Sequence, residues 1–289
     1  MKILATGGNG YIVSLLSSFN NDWAKWTKLT INELDLSKPE QVEDILNQYD
    51  FDTLIHAGAM PLTSDCEKYP ELTYKVNVLS TIEIAKYCKK HHKKLLFFSS
   101  EQVFNGLENG PYNEEVEPLS VTPYGNHKIE CEKFITSHLD DYIILRLSWM
   151  FGMAQKGIKP SYNLLDKVID SVFYQKEQVF PVFELRGFTY AGLLADNFKT
   201  LLNLPSGIYH FTGDNHLNTY EVAKVFAYYL GVERSVVDKY IKEDLEKYKD
   251  KPRDFHMTNT ILKENGIDLK DLQYSIKCCL KDYGWLKNE

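Results

Sequence analysis

Cysteine is scarce in these 289 residues: there are five, an odd number, and none stand at C-x-x-C spacing. That argues against a disulfide framework and leaves reduced thiols in a cytoplasmic protein as the expectation. Cys278 and Cys279 are adjacent in a stretch expected to be helical, where core packing accounts for them. No apolar run approaches the ~20 residues that span a bilayer. The opening MKILATGGNG lacks the apolar stretch of a secretory signal, so no membrane partner and a cytoplasmic location are expected. No block of Lys and Arg outweighs the acids, and the net charge is -7. Nothing therefore supports a nucleic-acid partner. An anionic small ligand remains open, because backbone N–H groups can hold phosphate on an acidic protein. Metal-ligand spacing is also lacking. His91 and His92 lie in KKHHKK, which reads as a solvated helix end, and His210 and His216 have no partner at ligand spacing, so no metal is expected. No repeat, low-complexity tract or Pro/Gly-rich linker divides the chain. Its length suits one α/β domain with an appendage, or two modest domains.

What is present is an alternation of short apolar runs and helices. Lys2 to Ala5 reads as a strand running into Thr6-Gly7-Gly8-Asn9-Gly10, and Tyr11 to Phe19 has helical apolar spacing. Lys28 to Ile31 is a weaker strand. SKPEQVEDILNQY reads as a helix with Ser37 as its cap, Pro39 in its first turn and Glu40 three residues beyond the cap. FDTLIHAGA is a buried strand ending in small residues. A long helix is expected from about Pro70 to His91, then the strand KLLFFSS, a helix from near Tyr124 and the strand YIILRLS. This pattern predicts an α/β fold, a doubly wound parallel sheet with right-handed crossovers. Ligands gather at the carboxyl ends of strands in such sheets. Those ends hold Thr6-Gly7, His56-Ala57-Gly58, Ser99-Ser100 and Ser148-Trp149. Beyond about residue 150 the rhythm loosens: a helix in NLLDKVIDSVF, a strand in GIYHFTG, and a helix in NTYEVAKVFAYYLG capped by Asn218 or Thr219 and closed by Gly231. Further helices are expected near Val236 to Tyr248 and Leu269 to Tyr283. Residues 1–150 are expected to form the main domain and 151–289 a smaller lobe, with segments exchanged between them.

The chemistry concentrates in two places. Gly7 permits a tight turn, and Gly10 lets backbone approach a pyrophosphate at a helix N-terminus. In TPYGNHKIECE, Tyr124 and Lys128 are four apart and project from one helix face. A tyrosine ionises near pH 10, and a nearby ammonium is expected to lower that value and make an acid/base unit. The pair follows FFSSEQVF, whose serines end at the sheet's ligand-binding edge and could orient a carbonyl beside the phenol.

With those residues assembled, the chain resembles the extended short-chain dehydrogenase/reductases, and within them the dTDP-4-dehydrorhamnose reductase family. The resemblance runs through TGGNGYI (6–12), ELDLSKPEQV (33–42), HAGA (56–59), ELTYKVNV (71–78), SSEQVFNG (99–106) and PYGNHKIECE (123–132). It continues in RLSWMFG (146–152), TYAGLLADNF (189–198), GIYHFTG (207–213) and KPR (251–253). It implies a Rossmann-type sheet with a smaller C-terminal substrate-binding lobe. It also implies NAD(P)H-dependent reduction of a 4-keto nucleotide sugar. Ser100, Tyr124 and Lys128 then match the catalytic trio: Ser100 orients the substrate, Tyr124 donates the proton, and Lys128 holds the nicotinamide ribose. Gly7, Asn9, Gly10, Tyr11, Ile12, Asp35, Leu36, Ala57, Gly58 and Ala59, with Tyr124 and Lys128, would contact the cofactor. Asn77 would sit in the long helix behind the active site. Ser100, Trp149 and Arg253 fall in stretches that meet the substrate. An arginine suits bidentate diphosphate binding, and Arg186 in RGFTY is a second candidate for that role. A homodimer is compatible with the resemblance.

The departures bear on substrate and cofactor. Val13 replaces the third glycine of the phosphate turn and is expected to loosen the pyrophosphate approach. Glu101 stands where the rhamnose enzymes usually have Asp, MPLTSDCE (60–67) differs from the family's loop, and Ala191-Gly192 lack its acids. Leu29-Thr30-Ile31-Asn32 offer no carboxylate to an adenosine ribose, with Lys28 nearby, which favours NADP(H) and leaves NAD(H) open. Two other readings stand beside the reductase. One is an epimerase or dehydratase of another nucleotide sugar using the same trio. The other is a non-catalytic cofactor-binding subunit, a class represented by the regulatory subunit of methionine adenosyltransferase.

Overall fold

The computed structural model describes residues 1–154, 157, 158 and 160–286. In chain order the first elements are β1 (Lys2–Thr6), α1 (Tyr11–Phe19), β2 (Lys25–Leu29), a 3-10 turn (Pro39–Gln41), α2 (Val42–Leu46), β3 (Thr53–His56), α3 (Thr63–Lys68) and α4 (Pro70–Tyr74). A π-helical turn (Lys75–Leu79), α5 (Ser80–Lys90), β4 (Lys94–Ser100), a 3-10 turn (Glu101–Phe104), α6 (Pro123–His138) and β5 (Tyr142–Leu147) follow. Next come β6 (Trp149–Phe151), α7 (Leu164–Val172), β7 (Gln178–Pro181), β8 (Glu184–Leu185), β9 (Phe188–Tyr190), α8 (Ala191–Asp196) and α9 (Phe198–Leu202). The chain closes with β10 (Gly207–Phe211), α10 (Thr219–Tyr229), α11 (Arg234–Tyr240), β11 (Ile241–Asp244), β12 (Arg253–Asp254), α12 (Thr260–Glu264) and α13 (Leu272–Asp282).

Two compact units share the chain. The first comprises Met1–Gly106, Val116–Leu147 and Ala195–Tyr209. The second takes Leu107–Glu115, Ser148–Leu194 and the residues from His210 on. A six-stranded parallel sheet in the order β10-β5-β4-β3-β1-β2 organises the first unit. The apolar runs explain it: all four residues of β3 are buried, as befits a strand covered on both faces. The chain winds outward from β1 to β2, then restarts on the other side of β1 with β3. The crevice between the ends of β1 and β3, where Thr6 and His56 are in register, is therefore the switch point where such sheets take ligands.

The second unit holds three short parallel pairs, β6 with β9, β7 with β11 and β8 with β12. Its helices are well signalled. Asn163 and Asp166 form a reciprocal cap on α7, and Asn218 and Glu221 do the same for α10. Phe151 and Phe226 meet edge to face at 4.9 Å.

Several expectations change. The helix expected from Ser37 begins as a 3-10 turn at Pro39, and Ser37 donates its hydroxyl to Asp35 instead of capping. The long helix of residues 70–91 is two α-helical segments with a π turn between them. The helix expected over Val236 to Tyr248 stops at Tyr240, because Ile241 onward pairs with β7. GIYHF supplies an edge strand of the large sheet. All five cysteines are free thiols; Cys279 is buried and Cys278 half-buried.

Candidate active site

The turn after β1 has its shape because Gly7 sits at φ +70°, where a side chain would be strained. A Cβ there would also lie 2.9 Å from the Gly58 nitrogen. Gly10 donates to the Gly7 carbonyl at 2.7 Å and caps α1 in extended conformation. The turn opens into a cavity of about 720 Å³, large enough for a dinucleotide's adenosine half. Gly7, Asn9, Gly10, Asp35, Leu36, Ala57, Gly58 and Ala59 line it, together with Thr30, Ile31, Leu34, Ser37, Met60, Leu72 and Val76. Tyr11 and Ile12 lie in the first turn of α1, outside its walls. The glycine cradle, a helix N-terminus facing it and the apolar leucine wall fit a pyrophosphate-linked nucleotide.

Val13 differs from its expected role. It is fully buried and is not a wall of the cavity. The position faces the interior packing of α1, so the valine fills space there. The acid-free reading of the second strand's end also needs amending. Glu33 folds back, and its carboxylate accepts from the Thr30 backbone N–H at 2.8 Å and its hydroxyl at 2.5 Å. Those bonds hold the Glu33 carboxyl below its usual range. Asp35 is likewise lowered, chiefly by the Ser37 hydroxyl and N–H.

Beneath the cavity runs a buried hydrogen-bond chain that sequence reasoning did not anticipate. Gly58 N–H donates to Thr6 Oγ1, which lies 2.7 Å from His56 Nδ1. His56 Nε2 lies 2.9 Å from Thr81 Oγ1, and Thr81 donates to the Asn77 carbonyl at 2.7 Å. Thr81 spends its proton on that carbonyl, so the ring carries hydrogen on Nε2 and accepts from Thr6 at Nδ1. Burial pushes the His56 imidazole down to about 3, with Lys128 a smaller cause, so it is neutral. Asn77, in the π turn, clamps the loop after β3: Oδ1 accepts from Met60 N–H at 2.8 Å and Nδ2 donates to the Met60 carbonyl at 3.0 Å. Such π turns are rare overall and frequent at functional sites.

At the carboxyl end of β4, α6 brings Tyr124 and Lys128 together. Thr122 caps this helix with Pro123 in its first turn. Gly125 is required beside Tyr124, since a Cβ would sit 2.4 Å from the Gln102 carbonyl. The Lys128 ammonium lies 5.7 Å from the Tyr124 ring centroid and donates to the Phe98 carbonyl at 2.7 Å. Ser100, two residues on, caps the following 3-10 turn by accepting from Gln102 N–H at 3.3 Å. Both members of the pair are buried. Burial pushes the Lys128 ammonium down to about 8. The Tyr124 phenol is raised, by burial first and by Cys66 and Cys131 next. Contrary to the expected lowering by Lys128, every cause of the shift raises it, and the phenol is held in its protonated form. A protonated phenol is a proton donor.

In the second unit, Trp149 stacks on Phe188 at 5.6 Å. Arg186 lies 4.3 Å from the Trp149 ring and 3.6 Å from the Glu184 carboxylate. Arg253 stacks on Tyr248 at 3.9 Å and donates to its hydroxyl at 2.9 Å. Both guanidiniums lie near the Phe255 ring, Arg186 at 5.2 Å and Arg253 at 5.7 Å. Among the described residues no three His, Cys, Asp or Glu side chains are grouped to hold a metal. No helix among them is long and apolar enough to cross a membrane.

The sequence model of the RmlD substrate binding domain family matches residues 1–284. The chain belongs to that family. A dTDP-4-dehydrorhamnose reductase of Aggregatibacter actinomycetemcomitans is 28% identical over 233 residues, covering 77% of this chain and 76% of that protein. The methionine adenosyltransferase 2 subunit beta of Xenopus laevis is 27% identical over 202 residues, covering 67% of this chain and 59% of that one. The crystal structure of dTDP-4-dehydrorhamnose reductase from Bacillus anthracis, in complex with NADP, superposes with a TM-score of 0.84 at 20% identity, covering 97% and 99% of the two chains. That likeness shows the same fold in this RmlD-family chain.

Proposed function

We propose that this RmlD-family protein reduces a 4-keto nucleotide sugar with NAD(P)H, NADP(H) being favoured. The observation that carries the reading is the buried, protonated Tyr124 beside Lys128 at the end of β4, on the same unit as the glycine-cradled cavity. Family membership and the reductase names of its relatives support it.

When bound, the dihydronicotinamide supplies a hydride to the substrate carbonyl carbon. Tyr124 gives its phenolic proton to the carbonyl oxygen, turning the ketone into an alcohol. Ser100 Oγ–H donates to that oxygen and stabilises the charge developing on it. Lys128, when protonated, eases formation of the Tyr124 phenolate and offers N–H donors beyond the one held by Phe98. Gly7, Asn9 and Gly10 receive the pyrophosphate, and Asp35, Leu36 and Ala57 to Ala59 enclose the adenosine side. Trp149, Arg186 and Arg253 serve the sugar nucleotide, with Arg253 the better diphosphate ligand because Glu184 already engages Arg186. Cytoplasmic location and homodimeric assembly accompany this reading.

The test is consumption of NADPH and NADH against a panel of 4-keto nucleotide sugars. Stoichiometric oxidation supports the reductase. Epimerised or dehydrated sugar with the nicotinamide spectrum unchanged supports the internally recycled alternative. The likeness to the methionine adenosyltransferase subunit favours a second reading, a non-catalytic binding subunit. Cofactor binding with no turnover of any sugar would support it.

A further inference from the structure

Tyr124, Lys128 and Glu132 stand at successive positions four apart along α6, one stripe of that helix. Glu132 is 2% exposed, and so is its partner Arg146 on β5. Both carboxylate oxygens are engaged. Oε1 accepts from Ser99 Oγ at 2.5 Å and Arg146 Nε at 3.0 Å; Oε2 accepts from Arg146 Nη2 at 2.6 Å. The guanidinium lies over Phe104 at 4.9 Å. Ser99 and Arg146 are register partners in the sheet, and Ser100 follows directly.

A buried ion pair of this kind adds little stability that well-packed apolar residues could not supply. It fixes geometry, because its bonds are directional. Lys128 ties α6 to β4 through the Phe98 carbonyl, and Glu132 ties the next turn of α6 to β4 and β5 through Ser99 and Arg146. We propose that Glu132 and Arg146 are a positioning pair, locking the helix that carries Tyr124 and Lys128 in register with the strand end that carries Ser100. Its carboxylate also favours the charged Lys128, against the effect of burial. The other titratable groups around that ammonium are Tyr124, Cys131, His127 and His56.

This inference rests on reading Tyr124 as the proton donor. Its test therefore includes a signal independent of turnover. In full-length protein, Glu132→Leu/Arg146→Met, Glu132→Asp and Ser99→Ala are compared with wild type. Measured are thermal unfolding, NADPH affinity, kcat and KM, the pH profile, and the ¹³Cζ resonance of Tyr124 with NADP⁺ bound, assigned through Tyr124→Phe. The folded double variant is expected to bind NADPH as wild type does and keep its KM. Its kcat should fall on the order of 100-fold, the scale of an ångström-level misplacement. Its Tyr124 resonance should shift, and the basic limb of its pH profile should move to lower pH. Glu132→Asp keeps the charge but is one methylene short, so it should restore the pH profile without restoring kcat. A folded double variant with wild-type kcat, pH profile and Tyr124 resonance overturns the proposal. If the double variant does not fold, Ser99→Ala decides: a lowered kcat with a shifted resonance supports the lock, and wild-type values of both overturn it. Wild type that turns over no sugar, but whose Tyr124 resonance moves in these variants, refutes the reductase reading and leaves the positioning pair standing.

Discussion

Replacing Val13 with glycine restores the phosphate-turn pattern, and the structure expects that restoration to harm the protein. Val13 is fully buried and forms no wall of the nucleotide cavity. Burying a valine side chain is worth roughly 1.5–3 kcal/mol. Glycine in a helix adds a penalty of up to about 1 kcal/mol relative to alanine. Together they predict a loss of roughly 2.5–4 kcal/mol, with the valine term an upper estimate because the unfolded chain already buries some surface. For a chain of this size each kcal/mol lowers Tm by about 2–4 °C, so a fall on the order of 10 °C is expected. Val13→Ala, which lacks the glycine penalty, should recover part of it. Affinity for NADPH, titrated by fluorescence on the same samples, should not improve. Binding tightened about tenfold, ~1.4 kcal/mol, with an unchanged Tm would show that the valine obstructs the pyrophosphate and that the assigned wall of the cavity is wrong.

Tyr124→Phe should keep the fold and cofactor affinity and lose on the order of 10²–10⁴-fold in turnover, the contribution of a general acid; steady-state rates with the preferred sugar check it, and an undiminished rate removes Tyr124 from that role. Glu33→Gln should raise the preference for NADPH over NADH a few-fold and most at low salt, since an exposed carboxylate near Thr30 repels a 2′-phosphate through a screened field; equal ratios across salt would place the ribose elsewhere. His56 has a folded value of about 3 against 6.5 unfolded, so the unfolded chain binds the extra proton between those values and stability falls as pH drops below about 6.5. From pH 7 to pH 5 that site should cost about 2 kcal/mol, read by urea unfolding. His56→Asn should remove this component; an identical acid slope would place the proton uptake at another group.

The large sheet was legible where each strand had its own sign. KILAT runs into the glycine turn, TLIH lies within the run FDTLIHAGA that ends in small residues, and KLLFFSS follows the lysine-rich helix end KKHHKK. Sheet membership of GIYHF was not, because a short apolar run carries no record of its neighbours. The π turn at Lys75–Leu79 was hidden for a related reason: the apolar spacing of ELTYKVNV continues through it, and only Asn77 reaching Met60 marks the bulge. Val236, Val237 and Ile241 fit one helix face, yet pairing with β7 turns Ile241 into a strand residue. In the candidate site the four-residue spacing placed Tyr124 and Lys128 on one face, and it could also have flagged Glu132. In KIECEKF that glutamate reads as a solvated helix position, and only the arrival of Arg146 from β5 shows it buried. The sign of the Tyr124 shift was equally beyond the sequence, since desolvation depends on what packs over the phenol.

In the proposed reaction, hydride and proton are delivered together to a sugar carbonyl, the proton by Tyr124. It is tested most directly by turnover with NADPH deuterated on its transferring face, in ordinary water, for wild type and Tyr124→Phe. One deuterium per turnover is expected at carbon 4 of the product sugar, matched by one equivalent of oxidised nicotinamide, with Tyr124→Phe nearly silent at unchanged cofactor affinity. Product without deuterium at that carbon, or labelled product formed equally fast by Tyr124→Phe, would contradict it.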